Sequence, residues 1–178
     1  MNTPVNVGVI GCGGISAVHL NCLCRMENVR VVAVCDIKPE RALKARDYCR
    51  ETRGWEPDMY EDYMQLVARD DIQSIHICTP HYLHAPMAIA ALNAGKHVIT
   101  EKPMASTIEL AHDMIAAADG RLGVIFQNRY NGSVQELRRQ LKSGELGALK
   151  TVRASVLWHR EAPYYTESGW RGSMETEG

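Results

Sequence analysis

What this sequence lacks narrows its function first. Its 20 basic and 21 acidic side chains leave a net charge of −1, and the lysines and arginines are scattered among acids. No basic face is therefore available to draw nucleic acid or an anionic membrane surface. No apolar run reaches the length that a bilayer crossing needs. The stretch VIGC at 9–12 resembles a lipidation box, but no positive charge precedes it and its apolar run is too short for a signal peptide. No C-x-x-C pair occurs among Cys12, Cys22, Cys24, Cys35, Cys49 and Cys78. A zinc site from Cys22, Cys24 and His19 would need converging ligands, and two cysteines two positions apart on a helical stretch face different ways. The cysteines read instead as free thiols, small hydrophobes in a reducing cytoplasm. The expectation is a cytoplasmic protein with no metal.

Internal repeats, low-complexity tracts and long linkers are missing as well, so nothing interrupts the pattern that is present. The 178 residues are 46% hydrophobic and 23% charged, enough for one core or for one domain and part of another. Short apolar runs alternate with amphipathic ones. VNVGVIG (5–11), VRVVAVCD (29–36), IQSIHICT (72–79), KHVITE (96–101) and LGVIFQ (122–127) have strand character. Between them, Ile15, His19, Cys22 and Met26 share one helical face; Leu83, Met87, Ala90 and Ala94 a second; Ile108, Ala111, Ile115 and Ala118 a third. This alternation predicts an α/β fold, a doubly wound parallel sheet of the Rossmann kind, over residues 1–121. From 122 a strand, a helix (133–144) and a strand-like run (148–159) predict the incomplete start of an α+β domain spanning 122–178. The final stretch from Arg160 reads as loop.

Three turns between these elements carry chemistry. GVIGCGGIS (8–16) places Gly11, Gly13, Gly14 and Ser16 between a strand and a helix, a G-x-G-x-x-S pattern. Such glycines allow a tight turn and let backbone approach a pyrophosphate at a helix N-terminus, with Ser16 small enough for the third position. A plain tight turn is the alternative. Asp36 ends the second run 20 positions after Ser16, where an acid accepts from ribose hydroxyls and repels a 2′-phosphate. That favours NAD over NADP, with Lys38 and Arg41 as the residues that would favour NADP; a helix N-cap is the other reading of Asp36. HVITEKPM (97–104) ends a strand in Glu101-Lys102-Pro103. Proline cannot continue a central strand, so this is either a solvated turn or a strand delivering an ammonium group.

Together, GVIGCGGIS, ICTPHYLHAPMAIAALNAGKHVITEKPMA (77–105) and LKSGELGALKTVRA (141–154) resemble the Gfo/Idh/MocA oxidoreductase family, glucose–fructose oxidoreductase and inositol dehydrogenase among its members. The resemblance covers essentially the whole chain. It implies an NAD-dependent dehydrogenase, transferring a hydride between a sugar, cyclitol or polyol hydroxyl carbon and the nicotinamide. Lys102 would be the catalytic residue, beside the nicotinamide and the substrate hydroxyl. The implied cofactor-binding set is Gly11, Cys12, Gly13, Gly14 and Ile15; Asp36, Ile37 and Arg41; Cys78, Thr79, Pro80, His81 and His84; and Glu101, Lys102 and Pro103. His81 stands where the family usually has asparagine, and His84 has a bond to its own loop as its alternative. Glu101 would either pair with Lys102 or touch the cofactor. Arg129, Trp170 and Arg171 are substrate-side candidates, against surface pairing or packing. The family's proton-accepting histidine falls beyond Gly178, and His159 precedes the loop it should follow. The chain is therefore expected to be the cofactor-binding portion of a longer, homo-oligomeric enzyme, inactive alone. A non-catalytic NAD(H)-binding module and an NAD-using glycosidase are the alternatives.

Overall fold

The computed structural model describes residues 3–177. They form two compact units, one of residues 3–125 with 173–177, the other of 126–172.

Six parallel strands make the sheet of the first unit: β1 (Val5–Ile10), β2 (Val29–Cys35), β3 (Asp58–Tyr60), β4 (Ser74–Ile77), β5 (His97–Glu101) and β6 (Leu122–Ile125), in the order β3-β2-β1-β4-β5-β6. Parallel strands covered on both faces are apolar throughout, and these are rich in Val and Ile for that reason. Around them run α1 (Ser16–Leu23), α2 (Pro39–Arg53), α3 (Tyr63–Val67), α4 (His84–Asn93) and α5 (Ile108–Ala118). Val7, Val9, Val31 and Val34 pack with Leu20, Leu23, Ala42 and Cys49, the α1/α2 side. Ile10, Ala33, Ile75, Ile77 and Val98 pack with Leu66, Ala88, Leu92 and Met114, the α3/α4/α5 side. Between Val7 and Gly8 the pairing register with β2 shifts, from Val31 to Ala33, so Val32 is an extra residue. The bulge re-phases β2 just before it runs into Asp36.

The strand order reverses between β1 and β4, and that switch point is where ligands bind such sheets, outside the carboxyl ends of the strands. Every turn singled out in the sequence lies at that edge. Local signals fix the helices: Pro39 opens α2 and Gly54, at φ 67°, closes it, while the Thr107 hydroxyl accepts from Leu110 N–H at 3.2 Å to start α5.

The structure moves several expected boundaries. β6 pairs with β5 along Val98–Glu101, so residues 122–125 finish the first sheet and the break expected after 121 falls after Ile125. β3 and α3 were not foreseen; three and five residues are too short to show a period. All three helical faces differ: α4 keeps Met87 buried but turns Ala85, Ala88, Ala91 and Leu92 inward, with Leu83 and Ala94 outside its ends. α1 spans eight residues and buries Ser16, His19, Leu20 and Leu23, leaving Ile15 and Met26 outside it and exposed. α5 buries Met114 and exposes Ile108 (72%) and Ile115 (60%), because an alanine-rich helix carries two overlapping apolar faces and packing against α4 selects one. Cys24, Cys35, Cys49 and Cys78 are buried as small hydrophobes, Cys12 is half-buried, and Cys22 is exposed.

The second unit holds a 3-10 turn (Gln127–Tyr130), α6 (Gly132–Ser143) and α7 (Ala162–Thr166). Residues 148–159, expected as a strand, form none, since a strand exists only by pairing and this run has no partner ladder. Leu149, Val152, Val156, Leu157 and Trp158 on it are exposed. Among the described residues no helix is long and apolar enough to cross a membrane.

Candidate functional site

The carboxyl edge of the sheet is built outward from Gly11. Its φ is +86°, and a Cβ there would stand 2.8 Å from the Cys78 carbonyl and 2.9 Å from Thr79 N. Only glycine lets the turn after β1 pass that close to the end of β4. Beyond it Gly13 and Gly14 face open space, where an added Cβ would meet nothing within 4 Å. Ser16 folds back to donate to the Gly13 carbonyl at 2.6 Å. No side chain caps α1, and while Val18 N–H turns back to the Ile15 carbonyl at 3.0 Å, the amides before it are left for another acceptor. Cys12, in the middle of the turn, is no nucleophile: burial, then the Asp36 charge, push its thiol up to about 12.

Asp36 locks this turn to the end of β2. Its Oδ2 accepts from Cys12 N–H at 2.8 Å and its Oδ1 from Lys38 N–H at 2.9 Å. It does not cap α2, whose N-cap position is Lys38 without a side-chain bond. Each carboxylate oxygen keeps a further lone pair for hydroxyls. Ile37, 81% exposed, and Arg41 flank it at the surface.

The loop after β4 carries Thr79, Pro80 and His81. The Thr79 hydroxyl is buried and finds no partner among the described residues, an orphan group beside the glycine turn. His81 Nδ1 donates to the Glu177 carbonyl at 2.9 Å. His84 has 0% exposure. Its ring bridges two loops, Nδ1 at 2.8 Å from the Pro103 carbonyl and Nε2 at 3.0 Å from the Thr79 carbonyl. It therefore joins the loop after β4 to the loop after β5 from beneath. Burial outweighs the pull of the two carbonyls and holds its pKa below the ordinary histidine value, so the neutral ring donates to one of them at a time.

β5 delivers Glu101, Lys102 and Pro103, and the Lys102–Pro103 peptide is cis. Lys102 is exposed at the sheet edge, while Glu101 is 8% exposed. Among the described residues the Glu101 carboxylate makes no ion pair with the Lys102 ammonium. It accepts from His19 Nε2 at 3.1 Å and from the backbone N–H of Lys102 at 3.3 Å. His19 in turn meets His76 of β4, Nδ1 to Nδ1, at 2.9 Å. Sequence reasoning missed both histidines as site residues. The signal available was strand alternation: Ile75 and Ile77 pack toward α4, so His76 between them must face the α1 side. Cys78, at the end of the same strand, is kept protonated by burial and the nearby Glu101 charge.

Arg129, Trp170 and Arg171 lie in the second unit. There the Arg129 guanidinium sits over Phe126 at 5.0 Å, and that of Arg171 over Tyr164 at 4.3 Å and Trp170 at 4.6 Å. The last of these cation–π contacts uses a face of Trp170, the substrate-side candidate.

At the opposite, amino end of the sheet, Asn6, Arg30, Glu56, Asp58, Arg69 and Asp71 line a polar hollow of about 260 Å³. Of its two cations Arg69 is already engaged, binding Asp58 at 2.6 Å and Asp71 at 2.7 Å. The carboxyl edge is the better site. It offers uncapped helix amides, an open glycine cradle, an orphan hydroxyl, an acid placed for vicinal hydroxyls and a free-standing ammonium. That set suits an extended anionic ligand bearing ribose, and its residues fit a dinucleotide.

Residues 5–130 match the family model of an oxidoreductase family with an NAD-binding Rossmann fold. A glycosyl hydrolase family 109 protein of Shewanella amazonensis is 35% identical over 176 residues, 94% of this chain and 36% of that protein. An inositol 2-dehydrogenase of Salmonella paratyphi B is 36% identical over 149 residues, 80% of this chain and 43% of that protein. Among solved structures, the WlbA dehydrogenase of Bordetella pertussis, in complex with NADH and UDP-GlcNAcA, superposes with a TM-score of 0.87 at 30% identity. The match takes in 98% of this chain and 53% of that one. The chain spans about half the length of these relatives, or less.

Proposed function

The chain belongs to the Gfo/Idh/MocA oxidoreductase family, and from that premise we propose that it is the NAD-binding portion of a dehydrogenase acting on a sugar, cyclitol or related polyol. The observation that carries this reading is the meeting of the Gly11 turn, Asp36 and the Glu101-Lys102-Pro103 loop at one switch point. The dinucleotide, when bound, supplies the carbon that accepts or returns a hydride.

The chain's own residues do the rest. The first-turn amides of α1, with the dipole behind them, receive the diphosphate, and Gly13 and Gly14 leave it room. Asp36 accepts from the adenosine ribose hydroxyls and repels a 2′-phosphate, so NAD is the cofactor rather than NADP. Lys102 places its ammonium where negative charge develops on the substrate oxygen as its carbon is oxidised. His84 acts one step back, fixing the two loops that carry Thr79 and Pro103. Ile37, exposed beside Asp36, offers the adenine an apolar face.

A second reading has its own support, since the glycosyl hydrolase family 109 relative aligns along more of this chain than the inositol 2-dehydrogenase does. An NAD-using glycosidase would oxidise its sugar only transiently. One experiment separates them: a polypeptide containing this chain is given NAD⁺ and a panel of polyols and glycosides. Accumulating NADH supports the dehydrogenase, and sugar release without NADH supports the glycosidase. Tight NADH binding with neither outcome indicates a binding module, and no dinucleotide binding overturns the proposal.

A further inference from the structure

Three titratable side chains meet beneath the loop that carries Lys102, and the proposed chemistry does not use two of them. They are His19 of α1, His76 of β4 and Glu101 of β5. His19 stands 2.9 Å from His76, Nδ1 to Nδ1, and 3.1 Å from Glu101, Nε2 to Oε1. Their rings meet edge to face with centroids 5.2 Å apart. His19 and Glu101 are each 8% exposed, so water does not satisfy them freely.

Donor and acceptor rules leave few proton arrangements. A carboxylate only accepts, so His19 Nε2 carries a proton and donates it to Glu101. Between two facing Nδ1 atoms one proton makes a hydrogen bond and two make a repulsion. With the pair neutral, His76 donates from Nδ1 to a lone pair on His19. With one proton added, His19 carries both of its ring protons, and His76 switches tautomer and accepts. No heavy atom has to move between the two states. Burial, then the neighbouring His19, hold His76 down to about 4, which keeps a second proton off the pair near neutrality. The other groups facing the cluster are the Cys78 thiol, kept protonated by burial and by Glu101, and the backbone N–H of Lys102 on Glu101.

We propose that His76 and His19 are a positioning relay that holds the Glu101 carboxylate and takes up one proton, thereby setting the charge beneath the nicotinamide end of the dinucleotide site. This rests on the reading that NAD binds at this edge with its nicotinamide beside Lys102. With the pair neutral, the Glu101 charge favours the oxidised, positively charged nicotinamide. With the pair protonated, His19 and Glu101 cancel, and NAD⁺ loses affinity relative to NADH. The relay thus makes the balance between oxidised and reduced cofactor depend on pH.

Two measurements test it. Ring-nitrogen NMR of the ligand-free chain reads the protons directly. Neutral His19 is expected to be protonated at Nε2 and neutral His76 at Nδ1, with both rings changing together at one midpoint on acidification. Titrations with NAD⁺ and with NADH over the same range should show the preference for NADH rising several-fold through that midpoint. His76→Asn keeps a group able to donate or accept at the same place and should retain this pH dependence. His76→Leu fills the volume without the hydrogen bond and should displace or abolish it; a role in packing alone would favour leucine over asparagine. A neutral His19 protonated at Nδ1, two independently titrating rings, or a flat NAD⁺/NADH ratio would overturn the relay. If the chain binds neither nucleotide, the functional reading fails and the claim about cofactor balance fails with it. The ring-proton measurement then still decides whether the relay exists.

Discussion

At the scale of single residues, the account turns on which glycines the turn needs and why. Gly11 is doubly constrained, by its positive φ and by the Cys78 backbone 2.8 Å from any Cβ. Gly11→Ala should cost more than the ~1–2 kcal/mol of the left-handed conformation alone. A thermal melt should therefore fall by roughly 5 °C or more. Gly14→Ala meets open space and should leave the melt within about 1 °C, while weakening NADH binding if the cradle holds phosphate. Equal losses of stability would show that the turn is not built as described. Asp36→Ala removes the acceptor of two backbone N–H groups. It should cost about 1–3 kcal/mol and should abolish the preference for NADH over NADPH in a fluorescence titration. Gly11, Asp36 and Lys102 were all legible as candidate site residues because each terminates a recognisable strand. His19 and His76 were not, since their meeting depends on packing across 57 positions of chain.

At the scale of elements, five of the six strands could be read from their valine and isoleucine runs, while the three-residue β3 could not. The helices were legible as helices, yet their buried faces were not. α5 shows why: its alanines fit the core on either side, and the choice falls to its packing against α4. Met114 is the residue that chooses, with 0% exposure. Met114→Ala should therefore cost about 2–5 kcal/mol, and Ile115→Ser, on the face favoured by periodicity, less than about 0.5 kcal/mol. Urea midpoints of the two variants check this, and a reversed order would return the core to the other face. Residues 148–159 illustrate the converse limit. Their β-branched and apolar content is a strand's, but pairing is not a property of one segment.

At the scale of the whole molecule, the histidines beneath the site make stability depend on pH. His76 and His84 both have pKa values below the ordinary histidine value, burial being the chief cause in each. The unfolded chain binds those protons at the ordinary value, so on acidification it gains protons that the folded chain refuses. Stability is full above the ordinary value and is lost as pH falls toward about 4, the value for His76. Denaturant midpoints at about pH 8 and about pH 5 should show the lower stability at the acid end; the opposite slope would mean these rings are charged in the fold. The fold class was readable because alternation of strand and helix leaves a parallel sheet as the natural solution. The division into units was readable only approximately, because β6 looks like the start of something new until its pairing with β5 is seen.

The central claim is that the carboxyl edge of this sheet binds a nicotinamide dinucleotide. Backbone amide NMR of the chain titrated with NADH tests it most directly. The account predicts saturable shifts at residues 11–16, 36–37, 79–81 and 101–103, with the amino-end hollow around Asn6, Arg30 and Arg69 undisturbed. No saturable shifts, or shifts gathered at that hollow instead, would contradict it.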